Sequence, residues 1–133
     1  MDDLIAFLRA RWAEEAARAQ AAPPGPWTVD VSGSIVAANG AKVVYSVGGA
    51  LGGHVSRWPE QPAADFITSN GPDQALAQLA ARQRLLDLYA AVAANDINEV
   101  EYAHGYANAL GQAVRLLALP YVGHPDYRQE WRP

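Results

Sequence analysis

The sequence predicts an α+β fold in which a three-stranded antiparallel meander packs against a small helical bundle. Apolar residues recur at helical spacing near the start of the chain and again over its second half. Between Trp27 and Val47 the period changes to two, and the turn signals Ser32-Gly33 and Asn39-Gly40 divide that region. With 133 residues, 50% of them hydrophobic, the chain can build one sizeable core, so we expect a single domain over residues 1–133.

The first helix is predicted over residues 3–21. Asp2 or Asp3 can cap its N-terminus. One apolar stripe is formed by Leu4, Ile5, Leu8 and Trp12. Pro23 and the two prolines that follow it forbid continuation, so the helix ends near Ala21.

The meander is predicted over residues 27–47. Alternating apolar residues mark three short strands, at Trp27–Val31, Ile35–Ala38 and Val43–Val47. Asn39-Gly40 is the strongest hairpin signal in the chain.

A glycine-rich loop is predicted over residues 48–61. Glycine-rich loops cradle phosphates when they lead from a strand into a helix. Trp58-Pro59 and Pro62 prevent a helix from starting directly after Gly53, and no Lys-Ser or Lys-Thr pair follows. These features favour a connector, and a ligand loop beside His54 is the alternative.

Residues 62–119 form the predicted helical part. Its three helices are expected over Pro62–Ser69, Pro72–Ala94 and Asn98–Leu119, with Glu101 completing a capping box in the last of them. Ala107 and Val114 belong to the repeating apolar pattern of that last helix, and Gly105, Gly111 and several alanines on it allow the close approach of a second helix. We expect the second helix to belong to the same chain, and a homodimer through this face is the alternative.

The last segment, residues 120–133, is too rich in aromatic residues and prolines for a loose tail, and we predict that it is packed. His124-Pro125-Asp126 can start one final helical turn, in which Tyr127 and Trp131 share a face. Aromatic side chains of this kind usually pack inside a protein. The alternative is a surface that contacts a partner, and its candidates are Trp58, Tyr121, Tyr127 and Trp131.

Four segments of the sequence carry a family resemblance: the opening MDDLIAFLRAR, the Pro24–Trp27 turn, the helix from Pro72 to Tyr89 and the ending from Arg115 to Pro133. They resemble a family of small uncharacterised proteins, a domain of unknown function, from Streptomyces, other actinobacteria and their phages. Relatives carry histidines and an aspartate where this chain has Ala64–Pro72, so no metal or catalytic role is implied here.

Three residues are candidate ligands for a small molecule or a metal. His54 follows the glycine-rich loop, and Glu101 and His104 have the three-residue helical spacing of carboxylate–histidine sites. One such pair lacks matching ligands from other helices, and the chain has no cysteine. We therefore predict no metal, no cofactor and no catalytic residue, with a metal-dependent enzyme as the alternative.

Charge and composition bear on partners and on location. The net charge of −4 and the scattered arginines predict against nucleic-acid binding. No apolar run reaches the roughly 20 residues that a bilayer requires. The absence of cysteine and of a basic, apolar leader predicts a cytoplasmic protein. We expect an interaction or accessory protein with an unidentified protein partner. The resemblance implies that the protein is of phage or mobile-element origin.

Overall fold

The computed structural model describes residues 1–46, 59–95 and 101–133. Within these ranges the fold is α+β, as predicted, with four α-helices and one three-stranded antiparallel sheet. The helices are α1 (Asp2–Ala21), α2 (Gln61–Ser69), α3 (Pro72–Asn95) and α4 (Glu101–Ala118). The strands are β1 (Thr28–Val29), β2 (Ile35–Val36) and β3 (Lys42–Val44). Two 3₁₀ turns follow α4, at Leu119–Tyr121 and Gln129–Trp131.

The chain divides into two compact units, which we name the terminal unit and the sheet unit. The terminal unit consists of Met1–Glu14 and Leu79–Pro133, and the sheet unit consists of Glu15–Gln78. The single domain expected from the length of the chain stays a prediction.

The core of the terminal unit is built from α1, α3 and α4. Its fully buried side chains are those of Leu4, Leu8, Leu86, Val114 and Ala118. The apolar stripe predicted for α1 is confirmed, because Ile5 and Trp12 are buried as well. Burying a leucine, isoleucine or valine side chain stabilises the fold by about 1.5–3 kcal/mol.

The sheet has the order β1-β2-β3, and its two hairpin turns are built alike. In the first turn the Gly33 N–H donates to the Asp30 carbonyl and the Asp30 N–H donates to the Ser34 carbonyl, both at 2.9 Å. In the second, Ala37 and Gly40 make the equivalent bonds. Gly33 and Gly40 have φ of 83° and 84°, a region that glycine enters without a steric penalty. Both turns are three-residue hairpin loops in which the glycine forms the bulge.

The strands are shorter than predicted. The first ends at Val29 because Asp30 begins a turn, and Val31, which the alternation placed on the buried side, is fully exposed. The second ends at Val36 because the next turn begins at Ala37. The third ends at Val44, and Tyr45 is 68% exposed. Val47 and residues 48–58 of the predicted glycine-rich loop lie outside the described residues, and Gln61, the last residue of that loop, instead begins α2.

Helix α2 contacts β1 inside the sheet unit, where Ala64 is buried. The predicted bounds of α2 and α3 are each confirmed to within one residue. The predicted start of α4 at Asn98 lies outside the described residues, and its C-terminal end is Ala118, followed by the 3₁₀ turn that contains Pro120.

The final helical turn expected from His124 onward does not form. Arg128 has an extended backbone, and the 3₁₀ turn begins only at Gln129. Tyr127 and Trp131 still come together, but across an extended residue instead of along one helix.

Candidate interaction surfaces of the terminal unit

Phe7 of α1 lies at the centre of an aromatic cluster formed with the C-terminal segment. Its ring centroid is 6.0 Å from that of Tyr121 and 6.2 Å from that of Tyr127. Trp131 is nearer, at 5.0 Å. The rings of Tyr127 and Trp131 meet edge to face at 5.6 Å. Aromatic pairs at such distances stabilise by about 0.5–1.5 kcal/mol beyond their burial, so ring contacts join the two ends of the chain.

Polar contacts supplement the ring contacts. The Arg128 guanidinium donates to the Asp3 carboxylate at 2.7 Å, and the Arg115 guanidinium donates to the Glu130 backbone carbonyl at 2.6 Å. Arg11 is hydrogen-bonded to the imidazole of His124. The Arg128–Asp3 pair is more than half exposed on both sides, and such pairs contribute about 0–1 kcal/mol. The aromatic rings therefore contribute more than this ion pair.

An open groove of about 520 Å³ runs between α1 and the C-terminal segment. Its charged lining residues are Asp3, Arg11, Asp126 and Arg128. Arg128 pairs with Asp3, Arg11 pairs with Glu14, and the rings of Phe7, Tyr127 and Trp131 that line the groove are at most 8% exposed. The volume suits a small ligand. Because the charges are matched within the protein, the groove selects neither an anion nor a cation.

One face of α4 is buried within the terminal unit. Ala107 is 8% exposed, and Val114 and Ala118 are fully buried. A Cβ atom added to Gly111 would lie 3.5 Å from the Tyr89 ring. Gly111, one of the small residues predicted to admit a neighbouring helix, therefore lies against Tyr89 of α3 in the same chain, whereas Gly105, also predicted for that role, is exposed.

The opposite face of α4 is exposed and apolar. Tyr106 is 42% exposed and Leu116 is 55% exposed, with Ala109 exposed and Ala113 half-buried between them. These four residues, at spacings of three, four and three, lie along one side of the helix, and we call them the α4 stripe. Leu119, 40% exposed, extends the apolar surface just beyond the helix.

Of the three residues predicted as candidate ligands, only the His104 side chain lies within the described part of the chain. His54 lies outside it, and so does the side chain of Glu101, although Glu101 begins α4. His104 is exposed on the first turns of α4. Within residues 1–46, 59–95 and 101–133, no three histidine, aspartate or glutamate side chains lie close enough to hold a metal ion. The absence of a metal from this protein stays a prediction.

The residues predicted for a partner surface differ in their exposure. Trp58 lies outside the described residues. Tyr127 and Trp131 are 8% and 5% exposed, and Tyr121 is half-buried. As placed, the three aromatic residues of the C-terminal segment contribute chiefly to packing, and any role in binding a partner stays a prediction.

Sequence reasoning missed Phe7 and Arg11, the α1 residues that contact the C-terminal segment. Phe7 lies three residues after Leu4, within reach of the apolar stripe, so helical spacing was a usable signal. Arg11 has the three-residue helical spacing of its ion pair with Glu14, at 2.9 Å, but its contact with His124 carried no sequence signal, because that contact depends on where the end of the chain lies.

Several arginines of the terminal unit face carboxylates. Arg9 lies 3.2 Å from Asp87, and Arg128 pairs with Asp3. A phosphate would have to displace these carboxylates. None of the described helices is long and apolar enough to cross a membrane.

Fold and surfaces together define a small α+β protein that presents an uncharged apolar stripe on a surface helix. The chain belongs to a family of unknown function, DUF6221, whose sequence profile matches residues 1–133. This match confirms the resemblance to an uncharacterised family. No curated protein and no solved structure matches the chain.

Proposed function

We propose that this protein is a small interaction or accessory protein that works through protein–protein contacts, with the α4 stripe as its contact surface. The single observation that carries the proposal is the exposure of Tyr106 and Leu116 on one uncharged helix face. The resemblance to actinobacterial and phage proteins, together with the absence of cysteine, supports a cytoplasmic protein of phage or mobile-element origin as part of this proposal.

An exposed helix face normally carries charged or polar residues. The exposed and half-buried positions of α4 between His104 and Arg115 include no charged side chain. The centres of protein interfaces are depleted of charge and enriched in aromatic residues, tyrosine included. The α4 stripe carries no charge and includes one tyrosine, Tyr106.

Two other classes of function have weaker support. A small-ligand or metal-dependent enzyme would use His54, Glu101 and His104, and of these only the His104 side chain is described, in an exposed position. A nucleic-acid-binding protein would need unmatched basic residues, whereas Arg9 and Arg128 face carboxylates. No specific observation favours either class.

The proposal is tested by capturing partners from lysates of a host that carries a member of this family, followed by mass spectrometry. The bait is the wild-type chain, the Leu116→Glu variant or the Leu88→Glu variant. Leu88 is 44% exposed on α3 and belongs to no part of the α4 stripe, so it is the matched control. We expect a protein that wild type and Leu88→Glu capture and that Leu116→Glu loses at least tenfold.

Circular dichroism melts of the three baits establish that each is folded. Capture that is equal for all three baits would contradict the α4 stripe as the contact surface. An equally large loss of capture with Leu88→Glu and with Leu116→Glu would also contradict the α4 stripe as the contact surface.

A further inference from the structure

We infer that the α4 stripe binds a second copy of this chain, with the two α4 helices antiparallel about a two-fold axis. This inference rests on the proposed function and names the partner of the same surface. Three properties of the described residues support it: the lack of charge on the stripe, the order of its side-chain sizes and the occupied opposite face of α4.

The charge distribution permits a like copy to bind at this surface. Each chain carries a net charge of −4, so two copies repel wherever their acidic surfaces approach. Residues 105–114 contain no charged side chain, and the Arg115 guanidinium is bonded to the Glu130 carbonyl. Two copies that meet on this face bury no charge, whereas a strongly charged partner would find nothing to match its charges.

The order of side-chain sizes along the stripe is self-complementary. In an antiparallel pair centred between Ala109 and Ala113, Tyr106 of one copy faces Leu116 of the other. Ala109 then faces Ala113 of the other copy, so small side chains meet in the middle and large ones at both ends. A two-fold axis requires such reciprocal contacts, and small central residues let two helices approach closely.

The length of the stripe sets the expected affinity. From Tyr106 to Leu116 the stripe extends over about 15 Å, at about 1.5 Å per residue. One helix pair of this length falls at or below the low end of specific interfaces, about 1,200 Å² of total buried area. We therefore expect a reversible dimer with a Kd in the micromolar range.

The small-residue face of α4 is not available for this contact. Ala107, Val114 and Ala118 are 8% exposed or less, so this small-residue face is already occupied within the chain. A homodimer through that face, the alternative that the sequence left open, would require α4 to leave its own core. The exposed face requires no such rearrangement.

Sedimentation velocity of the full chain between about 10 µM and 1 mM tests the dimer. We expect wild type to show a monomer–dimer equilibrium in this range, and Leu116→Glu to raise the Kd at least tenfold by placing one carboxylate from each copy in the contact. Leu88→Glu, which adds the same charge outside the stripe, should leave the Kd within about twofold. A wild-type chain that is monomeric at every concentration would overturn the inference, and so would equal effects of the two glutamates.

Cysteine crosslinking tests the antiparallel arrangement, because the natural chain has no cysteine. Ala109→Cys and Ala113→Cys chains are mixed under mild oxidation, and each is oxidised alone as the control. We expect disulfide-linked dimers to form faster in the mixture than in either single variant, since a Cα separation of about 4.4–6.8 Å is needed. Faster crosslinking of Ala109→Cys alone would indicate a parallel pair and overturn the arrangement.

The same variants separate failure of this inference from failure of the proposed function. A monomeric wild type whose captured partner is still lost with Leu116→Glu would overturn the second copy as occupant and leave the proposed function intact. If neither self-association nor capture depends on Leu116, both this inference and the proposed function are wrong.

Discussion

The aromatic cluster of the terminal unit and the hairpin turns of the sheet unit are held in opposite ways. Phe7, near the N-terminus, contacts Trp131, near the C-terminus, and the contact is mainly between apolar rings. The first hairpin turn is instead organised by Asp30, whose carboxylate accepts hydrogen bonds from the backbone N–H groups of Ser32 and Ser34 at 2.9 and 3.0 Å. The first region depends on side-chain burial, and the second on local polar contacts.

The two regions also differ in how completely their polar atoms are bonded. In the terminal unit, the Tyr127 hydroxyl and the Arg11 Nε are buried without a hydrogen-bond partner among the described residues. In the sheet unit both carboxylate oxygens of Asp30 are used, since Lys42 pairs with the second one. Burial of apolar surface outweighs a few unpaired polar atoms at the cluster. A solvent-accessible turn has little apolar surface to bury, and its hydrogen bonds determine its shape.

Replacing Trp131 by alanine should lower the stability of the fold more than any other substitution considered below. Trp131 is 5% exposed and contacts Phe7 and Tyr127, so Trp131→Ala removes a buried ring and leaves a cavity. We expect the free energy of unfolding to fall by about 3–5 kcal/mol, measured by urea denaturation. Tyr45→Ala is the control, since Tyr45 is 68% exposed in the sheet unit, and it should change stability by less than about 0.5 kcal/mol. Similar losses for the two variants would contradict the cluster as the major apolar anchor.

An intermediate effect is expected at Gly25 in the sheet unit. A Cβ atom at this position would lie 2.1 Å from the Asp73 carboxylate oxygen and 2.9 Å from the Asp73 Cβ, so Asp73 has to move. Gly25→Ala should lower the free energy of unfolding by about 1–3 kcal/mol, as overpacking does.

Gly105→Ala is the matched control for Gly25→Ala. No described atom lies within 4 Å of its Cβ position on α4, and alanine is the better helix former by about 0.5–1 kcal/mol. Thermal denaturation should therefore give opposite signs for the two substitutions. A loss of stability at both glycines would show that side-chain space is not the deciding factor.

The smallest change in stability is expected for substitution of Asp30, and this change depends on pH. The Lys42 ammonium, followed by the Ser32 hydroxyl, holds the pKa of Asp30 well below its ordinary value of about 3.9. A carboxyl whose pKa is lower in the folded state stabilises the fold above the unfolded pKa. That contribution is lost as the pH falls from about 4 through the lower, folded pKa.

Asp30→Asn keeps an acceptor oxygen for the turn but removes the charge. We expect wild type to be more stable than Asp30→Asn at pH 7 and the difference to shrink as the pH falls below about 4, measured by urea denaturation at each pH. A difference between wild type and Asp30→Asn that stays constant from pH 7 to pH 3 would contradict the ion pair with Lys42 as its source.

Local patterns in the sequence determined where most elements begin and end. Pro23 ended α1, Pro72 began α3, and Gly33 and Gly40 marked both hairpin turns, because backbone restrictions act within a few residues of each proline or glycine. Strand lengths were less predictable. Val31 alternates correctly with Val29, but the side chain of Asp30 captures the backbone N–H groups that would have continued the strand.

Only the tertiary structure decided which apolar surfaces are covered. The amphipathic pattern of α4 marked Ala107 and Val114 as one face, yet it did not show that Tyr89 of the same chain lies against Gly111 or that Leu116 stays exposed. Phe7 and Trp131 came together although no helix links Tyr127 to Trp131, because contact between distant segments depends on the path of the backbone between them. Hydrophobic periodicity identifies faces that can be buried, but their neighbours depend on how the helices pack.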